Sequence, residues 1–219
     1  MMTYLLKYMS LRARGEPVRW VLKVLGVNYT EETFDVLGEW PARKQEFKFR
    51  KVPVLMVDGE QLHQTTVICR FLGERHHLAS GDLWTATRQM EVVEALHDLT
   101  NSMGMALLAR KYGNEERQKA MTGLTAAQFP VVLSNIESRI TDKGWILSQQ
   151  MTWVDVFIAA YLDVYENYFP GVVGKFPLCE ALRRQVQDIP VIKAWRQERP
   201  AWHSFEDPQG LVALSDGSQ

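Results

Sequence analysis

The sequence predicts an α/β domain followed by an all-α domain, and three observations lead to this fold class. Residues 3–34 show the pattern of a strand, a helix and a second strand, and residues 51–72 show that of a hairpin followed by a helix. After about residue 80 the strand patterns end and long helical repeats of apolar residues begin. We therefore predict an α/β domain over residues 1–80 and a helical domain over residues 81–219.

The first strand is predicted in the segment TYLLKY, which has an extended pattern and ends at Tyr8. A polar loop then leads to a helix that begins near Arg14, with a first turn made by Gly15 and the acidic residue and proline that follow it. A second strand is predicted over residues 27–34. Because a helix connects the two strands, they should lie parallel, with a right-handed crossover.

The hairpin is predicted from an apolar run at residues 54–57, a turn at Asp58–Gly59 and a short extended return. Pro53 precedes the first strand, and a cis bond or a fixed turn there would leave the backbone of Val52 unpaired and facing outward. The next helix begins near Thr65, and its free N–H groups and positive end suit a carboxylate. A small anionic peptide would fit both attachment points.

The segment between the second strand and the hairpin, residues 37–50, shows no apolar period. We predict an irregular connection whose side chains line a cleft and do not fill a core. Its polar and aromatic candidates, with the lysine that follows, are Trp40, Lys44, Lys48, Arg50 and Lys51.

The helical domain should begin with two long helices, at about residues 84–111 and 114–141, and Pro130 should bend the second. Thr152 and Asp155 have the spacing of a capping box, which predicts the start of another helix. Two shorter helices should follow, at about residues 176–188 and 191–198.

The charge balance excludes several classes of partner. Lys and Arg number 25 against 26 Asp and Glu, and no run of five like charges occurs, so we expect no nucleic-acid partner and no membrane surface. No apolar run approaches the roughly 18 residues of a membrane span. Cys69 and Cys179 fall on apolar helical faces, as reduced packing residues do. We expect a cytoplasmic protein that binds a small molecule.

These features together resemble the cytosolic glutathione transferases. The resemblance rests on YMSLRARGEPVRW near the start, on the proline and helix start of the hairpin region, and on TWVDVFIAAY later, and it is closest to the sigma class. It covers nearly the whole chain. It implies a thioredoxin-like N-terminal domain, a homodimer, and conjugation of the co-substrate glutathione to hydrophobic electrophiles in detoxification. Thr65 departs from the family pattern, which has serine there.

The resemblance identifies Tyr8 as the catalytic tyrosine and Arg14 as its companion. A free thiol with a pKa of about 8.5 is mostly neutral at pH 7, and a phenol with a pKa of about 10 is a poor base. The phenol O–H can, however, donate a hydrogen bond to an anionic sulfur, and Arg14 adds positive potential. In the alternative interpretation, Tyr8 only packs at the strand end and Arg14 is solvated.

The remaining groups of glutathione require cations, a helix N-terminus and one acid. The resemblance implies that the binding residues besides Tyr8 and Arg14 are Trp40, Lys44, Lys51, Val52, Pro53, Gln64, Thr65 and Asp98. Asp98 should reach the ligand's amino group in the neighbouring subunit. Alternatively, it belongs to a solvated acidic stripe with Glu91 and Glu94.

The second substrate should bind between the domains, close to the sulfur. Methionines and aromatic residues make adaptable apolar walls, although each could equally belong to the core. The candidates are Met9, Leu11, Met103, Met105, Phe157 and Tyr161.

No metal is predicted, because the five histidines lack ligand spacing. The sigma-class prostaglandin synthase binds a divalent ion through three acids, and the matching positions here are Glu94, His97 and Asp98. His97 interrupts that set.

Three alternative functions stay open. The same thiolate could isomerise a prostaglandin, although the aromatic wall of that pocket is matched here by Gly104 or Met105. The chain could instead be a crystallin-like structural protein with little activity, or a carrier of hydrophobic ligands.

Overall fold

Four strands and three helices make up the first part of the chain in the computed structural model, which describes residues 2–35 and 38–200. The strands are β1 (Tyr4–Met9), β2 (Thr30–Phe34), β3 (Val54–Val57) and β4 (Glu60–His63). The helices are α1 (Glu16–Val24), the single-turn α2 (Trp40–Arg43) and α3 (Thr65–Arg75). The sheet has the order β2-β1-β3-β4, with β1 parallel to β2 and antiparallel to β3. The predicted α/β fold, parallel crossover and hairpin are confirmed.

Side-chain alternation explains how β1 lies in the sheet. Tyr4, Leu6 and Tyr8 point to one face and are buried, whereas the residues between them are half-buried. On that face α1 buries Val18 and Leu22 in the same apolar cluster as Tyr4 and Leu6. Tyr8, the last inward residue, lies outside this cluster and packs with the loop after β1. The end of β1 is therefore where the core gives way to the candidate site.

The hairpin has the backbone conformations that its sequence predicts. Asp58 and Gly59 both have positive φ, at 49° and 89°, as a tight turn between antiparallel strands requires. The peptide bond between Val52 and Pro53 is cis, which is one of the two predicted alternatives. Gln64 also has a positive φ, of 72°, immediately before α3 begins.

The predicted irregular character of the segment before the hairpin is wrong in part. It contains α2 and a 3-10 turn, and Phe47 is buried. The reason is a cluster of aromatic rings, in which Trp40 stacks on Phe34 at 5.7 Å between ring centroids and contacts Phe47 at 5.8 Å. Three rings without helical spacing can form a small core that periodicity does not detect.

Five helices follow in the described part of the chain, and the predicted all-α fold of this region is confirmed. They are α4 (Leu83–Lys111), α5 (Glu115–Glu137), α6 (Trp153–Tyr168), α7 (Pro177–Gln187) and α8 (Pro190–Glu198). Pro130 lies inside α5, which continues past it. The predicted boundary at residue 80 falls in the connection between α3 and α4, and residues 201–219 of the predicted domain lie outside the described residues.

The predicted capping box at the start of α6 is confirmed. The Asp155 carboxylate accepts the backbone N–H groups of Thr152 at 2.6 Å and Ile146 at 2.7 Å. Burial raises the pKa of Asp155 to about 6, against the opposing effect of these hydrogen bonds. The same carboxylate thus starts α6 and fixes the connection that precedes it at Ile146.

A buried acid joins the two parts of the chain. Glu16 in α1 accepts hydrogen bonds at 2.9 Å from the indole N–H groups of Trp20 and Trp195 and from the guanidinium of Arg199. Arg19 lies 3.3 Å from its other carboxylate oxygen. Because Trp195 is in α8 and Arg199 follows that helix, Glu16 fixes the end of the helical region against the sheet domain.

Candidate functional site

The site is built around the main chain of Arg14, where the loop after β1 approaches the start of α3. The backbone N–H of Arg14 donates to the Tyr8 hydroxyl at 3.1 Å. The Thr65 hydroxyl donates to the carbonyl of Arg14 at 3.2 Å. The structure therefore brings together three residues that the sequence analysis assigned to glutathione.

The hydrogen bond from the Arg14 N–H does not prevent the Tyr8 hydroxyl from donating a hydrogen bond itself. The N–H group occupies an oxygen lone pair and not the hydroxyl hydrogen. Accepting one hydrogen bond also polarises the phenol and makes it a stronger donor. This arrangement is suited to donating a hydrogen bond to an anionic sulfur.

The Tyr8 ring is held in a narrow position that only glycine permits. Its exposed fraction is 4%, and it lies directly against Gly15, where an added Cβ would come within 2.2 Å of Cδ1 of the ring. The guanidinium carbon of Arg19 lies 5.5 Å from the ring centroid, and Arg19 also donates to the Leu11 carbonyl at 2.6 Å. Sequence reasoning placed Gly15 only in a helix start, so its contact with Tyr8 was missed.

The guanidinium of Arg14 contacts a neutral partner. Its Nη2 donates to Oδ1 of Asn101 in α4, and within residues 2–35 and 38–200 no carboxylate forms an ion pair with Arg14. The positive charge therefore has no carboxylate partner among these residues. Asn101 was also missed, because a single asparagine on a long helix carries no recognisable signal.

A polar cleft opens beside these residues, with an empty volume of about 260 Å³. Two cationic side chains, the cis proline and the start of α3 surround it, which suits a ligand that carries carboxylates. Its lining residues are Arg14, Lys51, Val52, Pro53, His63, Gln64 and Thr65. All but one of these residues were predicted.

His63 is the lining residue that the sequence analysis did not include. Its Nε2 lies 3.0 Å from the Gln61 side-chain oxygen, and its ring meets Phe49 edge-on at 4.9 Å between centroids. Burial lowers the pKa of His63. The ring is therefore mostly neutral at pH 7 and completes the wall without adding charge.

Three predicted binding residues lie away from the lining of this cleft. Trp40 belongs to the aromatic cluster with Phe34, and Lys44 is exposed in the 3-10 turn after α2. Asp98 is exposed on α4. The assignment of these three to glutathione remains a prediction.

The six candidates for the second-substrate pocket divide into two groups. Met103, Phe157 and Tyr161 are almost completely buried in the main core, which is the alternative that the sequence analysis left open for them. Their role as pocket walls stays a prediction, because sequence periodicity does not separate a core face of a helix from a pocket face. Met9 and Met105 are half-buried, and Leu11 packs against Tyr8.

Tyr161 differs from the other two core residues because it brings a hydroxyl close to the site. That oxygen is buried, and no hydrogen bond of normal geometry reaches it among the described residues, although the Thr65 side chain interacts with it. Burial raises the pKa of Tyr161, and the nearby Arg14 and Thr65 act against that rise. The hydroxyl therefore stays protonated at pH 7.

The two remaining expectations concern metals and membranes. In the part of the chain that the structure describes, no group of three or more His, Cys, Asp or Glu side chains is arranged to hold a metal ion. No described helix combines the length and apolar character needed to cross a membrane. Cys69 and Cys179 are free and buried, as predicted.

Comparison with known proteins identifies the family. The family model "Glutathione S-transferase, N-terminal domain" matches residues 5–74, and "Glutathione S-transferase, C-terminal domain" matches residues 97–199. Hematopoietic prostaglandin D synthase of Gallus gallus is 28% identical over 200 residues, which cover 91% of this chain and 98% of the relative. Glutathione S-transferase S1 of Drosophila melanogaster is 28% identical over 201 residues, which cover 90% and 79%.

Solved structures agree with this result. The structure of rat hPGDS complexed with a quinoline has a TM-score of 0.81 and 28% identity, and covers 91% of this chain and 98% of its own. Monomeric Na-GST-3 of the hookworm Necator americanus has a TM-score of 0.80 at 22% identity, with 91% and 98% covered, and supports the fold. Together with the matched domains, these similarities show that the chain belongs to the glutathione S-transferase family and is a glutathione transferase that uses glutathione as its co-substrate.

Proposed function

We propose that Tyr8 and Arg14 stabilise the thiolate of glutathione while it attacks a hydrophobic electrophile. The observation that carries this proposal is the uncompensated guanidinium of Arg14, whose backbone is bonded to the Tyr8 hydroxyl at 3.1 Å. The thiol proton leaves to solvent, and the sulfur forms a bond to the electrophilic carbon. With an aryl halide the carbon–halogen bond breaks, and the halide ion leaves to solvent with the bonding electron pair. Tyr8 donates a hydrogen bond to the sulfur throughout and does not act as the base.

The rest of the tripeptide fits the cleft by charge and backbone geometry. The backbone of Val52, next to the cis proline, pairs with the cysteinyl residue of glutathione. Gln64 and Thr65 bind the γ-glutamyl carboxylate at the N-terminus of α3. Lys51 adds positive charge, and we assign Trp40 and Lys44 to the glycyl carboxylate.

We assign the second substrate to the space next to the loop after β1. Leu11 packs on Tyr8 there, and Met9 and Met105 are half-buried. Methionine side chains adapt to ligands of different shape. A broad range of apolar electrophiles is therefore expected.

We propose that the protein is a homodimer, on the basis of one exposed ring and one apolar groove. Phe49 is 63% exposed. A groove of about 390 Å³ lies between α4 and α5, and its lining includes Val92, Val131 and Ile136. In a two-fold dimer each Phe49 fills the groove of the partner, so the contact forms twice. Such a dimer also brings α4, with Asp98, close to the partner's cleft.

Analytical ultracentrifugation tests the dimer. Phe49→Ser should shift the wild-type dimer to monomers at micromolar concentration, because it removes the buried ring from both contacts. Trp84→Ser is the matched control, since Trp84 is also exposed, at 69%, but lies at the start of α4 and not beside the groove. A wild-type monomer, or a Phe49→Ser dimer as stable as the control, contradicts the proposal.

The catalytic proposal is tested by turnover of an aryl halide with glutathione. Tyr8→Phe should lose about 100-fold in kcat, which is typical of removing one donor to a developing or stabilised anion. It should bind glutathione almost as well as the wild type and raise the thiol pKa in the complex. Tyr29→Phe is the control, because this half-buried tyrosine lies before β2 and away from the cleft. Unchanged thiol ionisation in Tyr8→Phe contradicts the assignment.

Prostaglandin isomerisation is a second candidate, favoured by relatives that carry the name hematopoietic prostaglandin D synthase. Product analysis with a prostaglandin endoperoxide separates the two activities. Formation of prostaglandin D at a rate above that of aryl halide conjugation identifies the isomerase. The absence of both activities supports the crystallin-like alternative.

We also propose membership of the sigma class and a cytoplasmic location. Two free, buried cysteines are compatible with a reducing compartment. Fractionation of cells that produce the protein tests the location, and recovery with secreted proteins contradicts it.

A further inference from the structure

The guanidinium of Arg14 is held from the helical region of the chain. Its Nη2 donates to Oδ1 of Asn101 in α4, a residue 87 positions away. The main chain of Arg14 is fixed separately, through Tyr8 and Thr65. Asn101 therefore determines where the charge of Arg14 points, whereas the other two residues determine where its backbone lies.

The chemistry of Asn101 orients this cation without neutralising it. An amide oxygen accepts the hydrogen bond but carries no formal charge, whereas a carboxylate in the same position would form a charge-assisted pair with the guanidinium. A paired Arg14 would attract a bound thiolate less strongly. The amide thus combines a fixed orientation with an undiminished positive charge.

A second side chain on α4, that of His97, also lies near Arg14 without neutralising its charge. His97 lies one helical turn before Asn101 and is half-buried, and its Nδ1 has no hydrogen-bond partner in the described residues. Burial, and then the charge of Arg14, lowers the pKa of His97. His97 is therefore mostly neutral at pH 7. Both of these α4 residues are uncharged near Arg14, although Glu94 and Asp98 lie on the same helix.

We propose that Asn101 is a positioning residue of the transferase reaction, which directs the Arg14 guanidinium toward the glutathione thiolate and leaves its charge uncompensated. The inference rests on the proposed role of Arg14 in stabilising that thiolate. It requires a neutral acceptor at this position and makes the geometry of α4 part of the activation of glutathione.

The test measures the pKa of the thiol of bound glutathione, from the ultraviolet absorbance of the thiolate as a function of pH. Asn101→Asp should raise this pKa by about one unit, because the new carboxylate pairs with Arg14. At a pH below the thiol pKa, kcat with an aryl halide should fall about tenfold, while KM for glutathione changes less. Asn101→Gln keeps the amide oxygen and should restore most of the wild-type pKa.

Asn28→Asp is the matched control, because it makes the same change of charge at an exposed position outside the cleft. If the wild type ionises glutathione and Asn101→Asp gives the same thiol pKa as Asn28→Asp, the inference is wrong and the proposed function stands. If wild-type glutathione keeps the thiol pKa of about 8.5 of a free thiol, the proposed function itself fails. Should Asn101→Asp not fold, Asn101→Ala takes its place, and an unchanged thiol pKa in that variant overturns the inference.

Discussion

Arg14 and Glu16 lie two positions apart in the chain, but they differ in how their charges are paired with other groups. Glu16 is fully buried, and Trp20, Trp195 and Arg199 all donate hydrogen bonds to it. Arg14 is half-buried beside an open cleft, and the partner of its guanidinium among the described residues is the neutral amide of Asn101. The comparison indicates that a saturated charge serves the stability of this fold, whereas an uncompensated one is available to a ligand.

The largest expected effect is the loss of stability when Glu16 is changed. Glu16→Gln should lower the free energy of unfolding by about 1.5–3 kcal/mol, because it removes the negative charge that accepts three hydrogen bonds. Arg19 keeps Glu31 at 2.6 Å and Arg199 keeps Asp163 at 3.5 Å, so neither guanidinium is left without an acid. Urea unfolding measures this change. Glu74→Gln is the control, since the exposed pair of Glu74 and Arg70 should contribute at most about 0.5 kcal/mol. Equal unfolding midpoints for Glu16→Gln and Glu74→Gln would contradict the inference that the buried charge of Glu16 stabilises the fold.

The pH dependence of stability is a second test of the contribution of ionised Glu16. Burial by itself raises the pKa of Glu16, but Arg19 and Arg199 outweigh it and hold that pKa below its usual value. Such an acid stabilises the fold above its unfolded pKa of about 4.3 and loses this contribution as the pH falls through its folded pKa. The difference in unfolding free energy between wild type and Glu16→Gln should therefore be constant above about pH 5 and shrink in stronger acid.

The titration of Asp155 does not affect this difference in unfolding free energy. Its pKa is raised to about 6, so its contribution falls as the pH rises and has the opposite sign. Because Asp155 is present in both proteins, its effect cancels in the difference. A difference between wild type and Glu16→Gln that grows in acid contradicts the assignment.

Gly15, which lies between the two charged residues, links the comparison to catalysis. Its φ of −80° is ordinary for alanine, so Gly15→Ala tests only the contact with Tyr8. The added methyl group would lie 2.2 Å from the ring and must displace it. We expect a loss of about 1–3 kcal/mol in stability and more than about tenfold in kcat/KM with an aryl halide.

The control for this prediction is another helical or near-helical glycine. Gly123→Ala in α5 meets nothing within 4 Å and should stabilise the protein by about 0.5–1 kcal/mol with unchanged turnover. Full activity in Gly15→Ala would show that the Tyr8 ring tolerates movement. The inference that turnover requires the Tyr8 ring in its fixed position against Gly15 would then be wrong.

Sequence patterns predicted most of the fold because the relevant signals are local. The turn at Asp58–Gly59 and the capping box of Thr152 and Asp155 each depend on residues within a few positions. The same is true of the first strand, which ends at Met9, one residue after its predicted end. The segment around Phe47 was predicted less well, since its aromatic cluster joins residues without a period.

The site was predicted only where the chain itself brings residues together or where the family resemblance supplied them. Asn101 reaches Arg14 across 87 positions, and no spacing in the sequence encodes such a contact. Gly15 was recognised as a helix start, but its contact with Tyr8 depends on the tertiary packing of two adjacent elements. Phe157 has the character of a pocket residue and of a core residue alike, and only its burial separates the two.

The smallest expected effect concerns Tyr161, whose buried hydroxyl lies near Arg14 and Thr65 but makes no hydrogen bond of normal geometry among the described residues. An unsatisfied buried hydroxyl costs about 1–3 kcal/mol, so Tyr161→Phe should raise the free energy of unfolding by about 1 kcal/mol. Tyr165→Phe is the matched control one helical turn later. Its hydroxyl lies 2.6 Å from that of Thr100 and donates to the Leu96 carbonyl at 3.2 Å, so its removal should destabilise the protein by about 1 kcal/mol.

The two tyrosine variants extend the comparison from charges to neutral groups. If Tyr161→Phe stabilises the fold but lowers kcat with glutathione, the hydroxyl belongs with Arg14, as a group left unsatisfied in the protein and used by the ligand. If Tyr161→Phe stabilises the fold and keeps full activity, the Tyr161 ring serves only to pack the core and its hydroxyl has no role in catalysis. Destabilisation equal to that of Tyr165→Phe would mean that the Tyr161 hydroxyl is satisfied in solution, and the parallel with Arg14 would fail.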